Sequence, residues 1–155
     1  MCIRDSLQIG DTAPVFSGVD QNENPISLAD FAGKKLILFF YPKANTPGCT
    51  AQGCNLRDNY SILKDKGYEI LGVSADSPKR QSNFIEKYSF PFPLLADQEK
   101  EVIESYGVWG PKKFMGRVFS GLHRITFVID ENGIIENIIS KVKTKDHAAQ
   151  ILETL

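Results

Sequence analysis

A mixed α/β fold, with a central sheet flanked by helices and a small N-terminal β-hairpin, is predicted by three features of the sequence. First, Leu36 to Tyr41, Glu69 to Val73 and Ile125 to Ile129 are short, nearly continuous apolar runs, the pattern of strands buried on both faces. Second, segments long enough for helices lie between these runs. Third, Ile134 to Ile139 follows the last run across Asp130-Glu131-Asn132-Gly133, whose Asn-Gly step favours a tight turn and hence an antiparallel pair.

The elements follow in order. Val15 to Val19 and Ile26 to Leu28 flank the turn-rich Asp20 to Pro25 and read as a hairpin ahead of the main fold. Helices are expected at Pro47 to Lys66, Pro78 to Tyr88, Lys100 to Tyr106 and Lys145 to Leu155. The succession βαβα, a short helix, then ββα is the layout of a thioredoxin-like fold. Gly107 to Gly121, which holds Trp109, Gly110-Pro111 and Gly116, reads as a long loop. Met1 to Ser6 carries neither strand nor helix period, so it is expected to be a tail or extension, with Cys2 given no role. Residues 7–155 are expected to form one domain.

Composition narrows the function classes. With 42% apolar and 24% charged residues among 155, the chain is an ordinary globular one able to bury a core. No apolar run nears the roughly 20 residues of a membrane span, and the start lacks a signal peptide's apolar stretch, so a cytoplasmic location is expected. Eighteen basic and nineteen acidic residues give a net charge of −1 without blocks of one sign. Neither nucleic acid nor membrane is therefore expected as a partner. Lys141, Lys143 and Lys145 alternate with Val142 and Thr144 and read as a solvated strand edge. Three cysteines in a reducing compartment point to redox use rather than to a structural disulfide framework.

Cys49 and Cys54 stand directly after the first core strand, at the start of an expected helix. The orphan N–H groups and positive dipole end of a helix N-terminus stabilise a thiolate, which marks Cys49 as the activated thiol and Cys54 as its partner. Five residues along a helix separate two Cα atoms by roughly 8.6 Å and turn them about 140° around the axis. A disulfide needs Cα atoms within about 7 Å, so the first turns must unwind before the sulfurs meet. The spacing implies a switch between a thiolate-presenting state and a locally unfolded disulfide state.

Neighbouring residues serve the first state. Pro42 ends the strand, Pro47 suits the first helical position, and Gly48 lets the backbone approach a ligand. The Thr46 hydroxyl, three residues before Cys49, is expected to point toward the thiolate or toward an oxygen bound beside it. Arg124 directly precedes the run Ile125 to Ile129, and its position alone fits a site cation and a surface arginine equally well.

The pattern Pro42-x-x-x-Thr46-x-x-Cys49 resembles the peroxiredoxin signature, and Cys54 five residues later resembles the bacterioferritin-comigratory, or peroxiredoxin Q, branch. Tyr41-Pro42-Lys43-Ala44, Leu56-Arg57-Asp58-Asn59, Gly107-Val108-Trp109-Gly110, Phe114-Met115-Gly116 and His123-Arg124 are similar to that branch as well, so the likeness spans Leu7 to Leu155. Position 52 is Gln where many members have Glu, and Met1 to Ser6 has no counterpart. The resemblance implies a thiol peroxidase that reduces hydrogen peroxide and organic hydroperoxides. It implies Cys49 as peroxidatic cysteine, Thr46 and Arg124 as activating and transition-state partners, and Pro42 as the shield of the pocket. Gly48 and Cys49 would contribute backbone N–H groups to peroxide binding, and Cys54 would be the resolving cysteine. It further implies no metal, haem or flavin, a monomer, and thioredoxin, or else glutaredoxin, as reductant.

Three rivals use the same residues. A thioredoxin-type disulfide oxidoreductase would carry C-x-x-C, whereas this chain has C-x-x-x-x-C. A zinc or iron site from Cys49, Cys54, His123 and His147 would lack the short-spaced ligand pairs such sites use. His123 is expected to bond a strand end and His147 to lie on the surface. A redox sensor that passes oxidation to a partner is not separated from a peroxidase by sequence. Phe39, Phe40 and Tyr41 are expected in the core, and Trp109 and Phe119 either line the substrate mouth or pack the loop.

Overall fold

The computed structural model describes residues 7–153. In order it contains β1 (Ser17–Val19), β2 (Pro25–Ser27), β3 (Lys35–Phe40), α1 (Pro47–Asp58), α2 (Tyr60–Asp65), β4 (Tyr68–Ser74) and α3 (Pro78–Tyr88). It continues with β5 (Leu94–Ala96), α4 (Glu101–Ser105), β6 (Trp109–Phe114), β7 (Arg117–Leu122), β8 (Thr126–Ile129), β9 (Ile135–Ile139) and α5 (His147–Glu153). Met1 to Ser6, with Cys2, and the last two residues of the expected terminal helix lie outside the described residues.

The main sheet has the order β5-β4-β3-β8-β9, with β4 parallel and β8 antiparallel to β3. The unbroken apolar run of β3 is explained by burial on both faces. Leu36, Leu38 and Phe40 enter one core with Phe16, Tyr106 and Phe127. Ile37, Phe39 and Tyr41 enter the other with Leu56, Phe84 and Phe92. Alternate side chains of one strand thus tie two helical layers together. Gly72 on β4 is required by this packing, because a Cβ there would lie 2.6 Å from Leu94 Cδ2 and 2.7 Å from Phe39 Cζ.

Several expectations are corrected. The helix expected from Pro47 to Lys66 is broken at Asn59, which leaves helical geometry (φ −111°, ψ 12°) and turns its side-chain amide onto the Asn55 carbonyl. Asparagine competes with the helix by such local bonds. The expected long loop at 107–121 is instead the antiparallel hairpin β6–β7. Its two-residue turn, Met115 and Gly116, has φ of +51° and +79°. Paired positive φ values belong to a tight hairpin turn usually announced by Asn-Gly, and methionine in the first place hides that signal. β5 is only three residues long and follows Pro91 and Pro93, too little for a periodic pattern. Lys141 to Lys145 lie beyond the end of β9 in a connecting segment, not on a strand edge.

His147 is also corrected from surface to core: it is fully buried at the start of α5. Its Nδ1 lies 2.9 Å from Gln150 Oε1, which can only accept, so Nδ1 carries the proton and Nε2 accepts from the Thr126 hydroxyl at 2.8 Å. Burial, and secondarily the charge of Arg124, lowers its pKa below the ordinary 6.5. The folded state therefore holds the imidazole neutral while the unfolded chain protonates it near 6.5. Its contribution is complete above that value and is lost as pH falls below it. Thermal melts at pH 7.5 and 5.5 should show wild-type stability falling on acidification, by at most about 1.4 kcal/mol per pH unit from this group. His147→Gln should flatten that fall.

Candidate active site

The end of the sheet at which β3 finishes is also where β8 begins, because the two are antiparallel with Phe39 opposite Thr126. The chain leaves β3 at Tyr41 and enters α1, whereas Arg124 sits just before β8. A hydrogen bond from the Phe40 N–H to the Ile125 carbonyl (3.0 Å) fastens the two segments together. Residues distant in sequence thereby meet at the N-terminus of α1.

Cys49 is buried, 1% exposed, in the first turn of α1. Pro47 occupies the first helical position, and the N–H groups of Gly48 and Cys49 are among those a helix start leaves without intrahelical partners. Arg124 Nη2 donates to Cys49 Sγ at 3.3 Å, and Nη1 donates to Gln52 Oε1 at 2.7 Å. A Cβ at Gly48 would stand 3.1 Å from Nη2, so the glycine lets the guanidinium lie close to the backbone. Among the described residues Arg124 has no carboxylate partner. Gln52 takes one arm of the fork without neutralising it, leaving the positive charge beside the sulfur. Gln52 is itself fully buried, and its Nε2 is without a hydrogen-bond partner.

The preceding loop is held by a polar network. Asp76 Oδ2 accepts from the Ala44 N–H (2.7 Å) and from the Ser74 hydroxyl (2.6 Å). Gln81 Nε2 donates to Ser74 Oγ and to the Leu95 carbonyl, both at 2.9 Å, and Gln81 Oε1 accepts from the Tyr41 hydroxyl. Burial pushes the Tyr41 phenol well above its ordinary value, so it remains a donor. Asn45 adopts a left-handed φ of +63°, and its Oδ1 accepts from the Tyr88 hydroxyl at 3.2 Å. These contacts fix the loop between strand and helix, and sequence reading missed Ser74, Asp76 and Gln81 because they act from β4 and α3.

Thr46 stands where expected, at the N-cap, but its hydroxyl donates to the Lys43 carbonyl at 2.8 Å. The hydroxyl's lone pairs are left to accept. Pro42 is exposed at the bend after β3. Cys54 is half-buried on the same helix as Cys49, and both thiols are free. Its neighbour Asn55 joins α1 to the C-terminal segment: Nδ2 donates to the Lys145 carbonyl (2.9 Å) and Oδ1 accepts from the Ala148 N–H (2.7 Å). His123, expected to bond a strand end, instead meets the interior of β6, with Nε2 3.0 Å from the Pro111 carbonyl. Trp109 packs on the core under Lys100, whose Nζ is 4.7 Å from the ring, whereas Phe119 is exposed on the hairpin. Among the described residues no three His, Cys, Asp or Glu side chains gather as a metal site would need.

Comparison with known proteins gives this arrangement a context. Residues 9–138 match the AhpC/TSA family. A putative peroxiredoxin bcp of Haemophilus influenzae is 50% identical, and peroxiredoxin Bcp of Escherichia coli K12 is 47% identical, each alignment covering 96% of both chains. Among solved structures, peroxidoxin BcpB of Mycobacterium tuberculosis superposes with a TM-score of 0.84 at 33% identity over 96% of both chains. A Xanthomonas campestris bacterioferritin comigratory protein, studied for its alkyl peroxide reduction activity, gives 0.84 at 30% identity over 92% of this chain and 96% of that one. With a buried, arginine-paired cysteine at a helix start and relatives of this likeness over nearly its whole length, the chain belongs to the AhpC/TSA family, in its Bcp or peroxiredoxin Q branch, and is a thiol peroxidase.

Proposed function

We propose that Cys49 is the peroxidatic cysteine and Cys54 the resolving cysteine of a two-cysteine peroxidase formed by one domain. The observation that carries this reading is the 3.3 Å contact between Arg124 Nη2 and Cys49 Sγ at the start of α1. The guanidinium and the free N–H groups of Gly48 and Cys49 converge where negative charge sits on sulfur before attack and moves onto the peroxide oxygens during it.

The Cys49 thiolate attacks the terminal oxygen of a hydroperoxide in line with the O–O bond. An S–O bond forms, the O–O bond breaks, and its electron pair leaves on the second oxygen, which takes a proton and departs as an alcohol or, from hydrogen peroxide, as water. Arg124 stabilises the departing oxygen, and Thr46, its own proton held by Lys43, accepts a hydrogen bond from the peroxide. Cys49 is left as sulfenic acid. Since five helical residues hold the two cysteines too far apart, α1 unwinds, the Cys54 thiol displaces hydroxide from the Cys49 sulfur, and water and a disulfide result. A thioredoxin-type dithiol, thioredoxin itself in this proposal, then reduces the bridge by thiol exchange and is oxidised in turn.

Alkyl hydroperoxides are proposed substrates beside hydrogen peroxide, supported by the activity studied in the Xanthomonas relative. A monomer acting in the cytoplasm completes the reading. Pro42, exposed at the bend, would shield the mouth of the site from solvent.

The proposal is tested by peroxide turnover with thioredoxin, thioredoxin reductase and NADPH. Cys49→Ser should abolish turnover and sulfenic acid formation. Cys54→Ser should consume one peroxide per chain and then stop with thioredoxin as reductant. A Cys54→Ser variant that cycles at the wild-type rate would remove the resolving role, and a wild type that reacts once and does not cycle would favour a sensor. Arg124→Lys keeps the charge but cannot fork between Gln52 and Cys49. Stopped-flow oxidation of this variant should be slower by about a hundredfold.

A further inference from the structure

We propose that the tip of the β6–β7 hairpin docks the protein on anionic lipid surfaces. Six large apolar side chains are exposed among the described residues, and three of them, Met115 (87%), Val118 (67%) and Phe119 (48%), crowd into five positions at this tip. The base of the hairpin is part of the fold: Trp109 and Leu122 pack on the core, and Lys112 Nζ donates to the Leu122 carbonyl at 2.9 Å. Beyond the base, Lys113 pairs across the strands with Val118, and both are exposed. Met115, Val118 and Phe119 therefore belong to neither core.

Charge identifies the occupant. From Ser105 to Ile129 the sequence holds Lys112, Lys113, Arg117 and Arg124 and not one acidic residue, although the whole chain carries a net charge of −1. Lys113 and Arg117 flank the turn and have no acidic partner among the described residues. Lysines on a ribbon edge guard against strand pairing, which accounts for the cations but not for the apolar side chains beside them. Apolar residues at an apex backed by cations match the headgroup boundary of an anionic bilayer, where the apolar groups leave water while the cations meet phosphate. A protein partner fits less well. A stable interface takes about 800 Å² from each side, more than the narrow finger of residues 113–119 offers, whereas a fluid lipid surface moulds itself to a small protrusion.

The arrangement has a consequence for the site. β7 runs directly into His123 and Arg124, so a bilayer at the tip stands roughly 20 Å, six strand residues, from the guanidinium. Docking would hold the enzyme beside a membrane without inserting any spanning segment. The expectation that membranes are not partners rested on the lack of such a segment and of charge blocks, and neither addresses a surface of this kind.

Flotation of the full chain with vesicles of phosphatidylglycerol and phosphatidylcholine, and with phosphatidylcholine alone, at low ionic strength tests the proposal. Binding should be at least tenfold stronger to the anionic vesicles and should fall steeply with added salt. The double variants Lys113→Glu/Arg117→Glu and Met115→Ser/Val118→Ser should each lose at least tenfold in binding while reducing hydrogen peroxide in solution as fast as the wild type. Failure to bind, equal binding to both vesicle types, or variants that bind like the wild type would overturn it. So would variants whose one defect is slower reduction by a protein dithiol, which would make the hairpin a reductant dock. None of these readouts requires the assigned cysteine roles, so failure here leaves that reading standing.

Discussion

The fork of Arg124 is the interaction on which the site depends. It joins Cys49 to a residue 75 positions away and at the same time grips Gln52 one turn further along α1. For this to happen, β8 must return antiparallel beside β3 so that Arg124 arrives at the strand end from which α1 departs. Gly48 leaves room for the guanidinium's close approach, and the loop from Pro42 to Asn45 must hold one shape, which Asp76 and Gln81 enforce from behind. The central sheet thus acts as a jig. Its two-sided burial fixes strand ends to within the tolerance a charged hydrogen bond requires.

Much of this was legible in the sequence. The two-faced strand at Leu36 to Tyr41, the helix at Pro78–Tyr88 and the thiol at the head of α1 follow from patterns local to the chain. Arg124 was placed by its neighbour, the run that begins at Ile125, and the resemblance to peroxiredoxins then gave it a role. What was missed depends on contacts across the fold or on the conformation of a turn. The buried His147 looked like a surface residue because its partner, Thr126, lies on β8. The proton of Thr46 goes to Lys43, a choice set by the loop's turn rather than by spacing. The β6–β7 hairpin was hidden because Met115, not asparagine, takes the left-handed position of its turn.

The helix that presents Cys49 is a poor one by composition. Gly48, Thr50, Gly53 and Asn55 all weaken a helix, and a glycine in a helix interior costs about 1 kcal/mol relative to alanine. Packing compensates. Leu56 is fully buried, and Gly53 makes room for Phe90, whose Cζ would stand 2.5 Å from any Cβ there. Asn55 bonds the backbone on both sides of the start of α5, so the two helices support each other. A helix held by tertiary contacts rather than by its own propensity is one that can open locally, as the proposed Cys49–Cys54 disulfide requires.

Hydrogen exchange on the reduced and the peroxide-oxidised chain tests that local opening most directly. Amides of 49–58 should lose protection on oxidation, those of 147–153 should loosen with them through Asn55, and β3 and β4 should be unchanged. A Cys49–Cys54 disulfide formed while α1 stays as protected as in the reduced chain would contradict it.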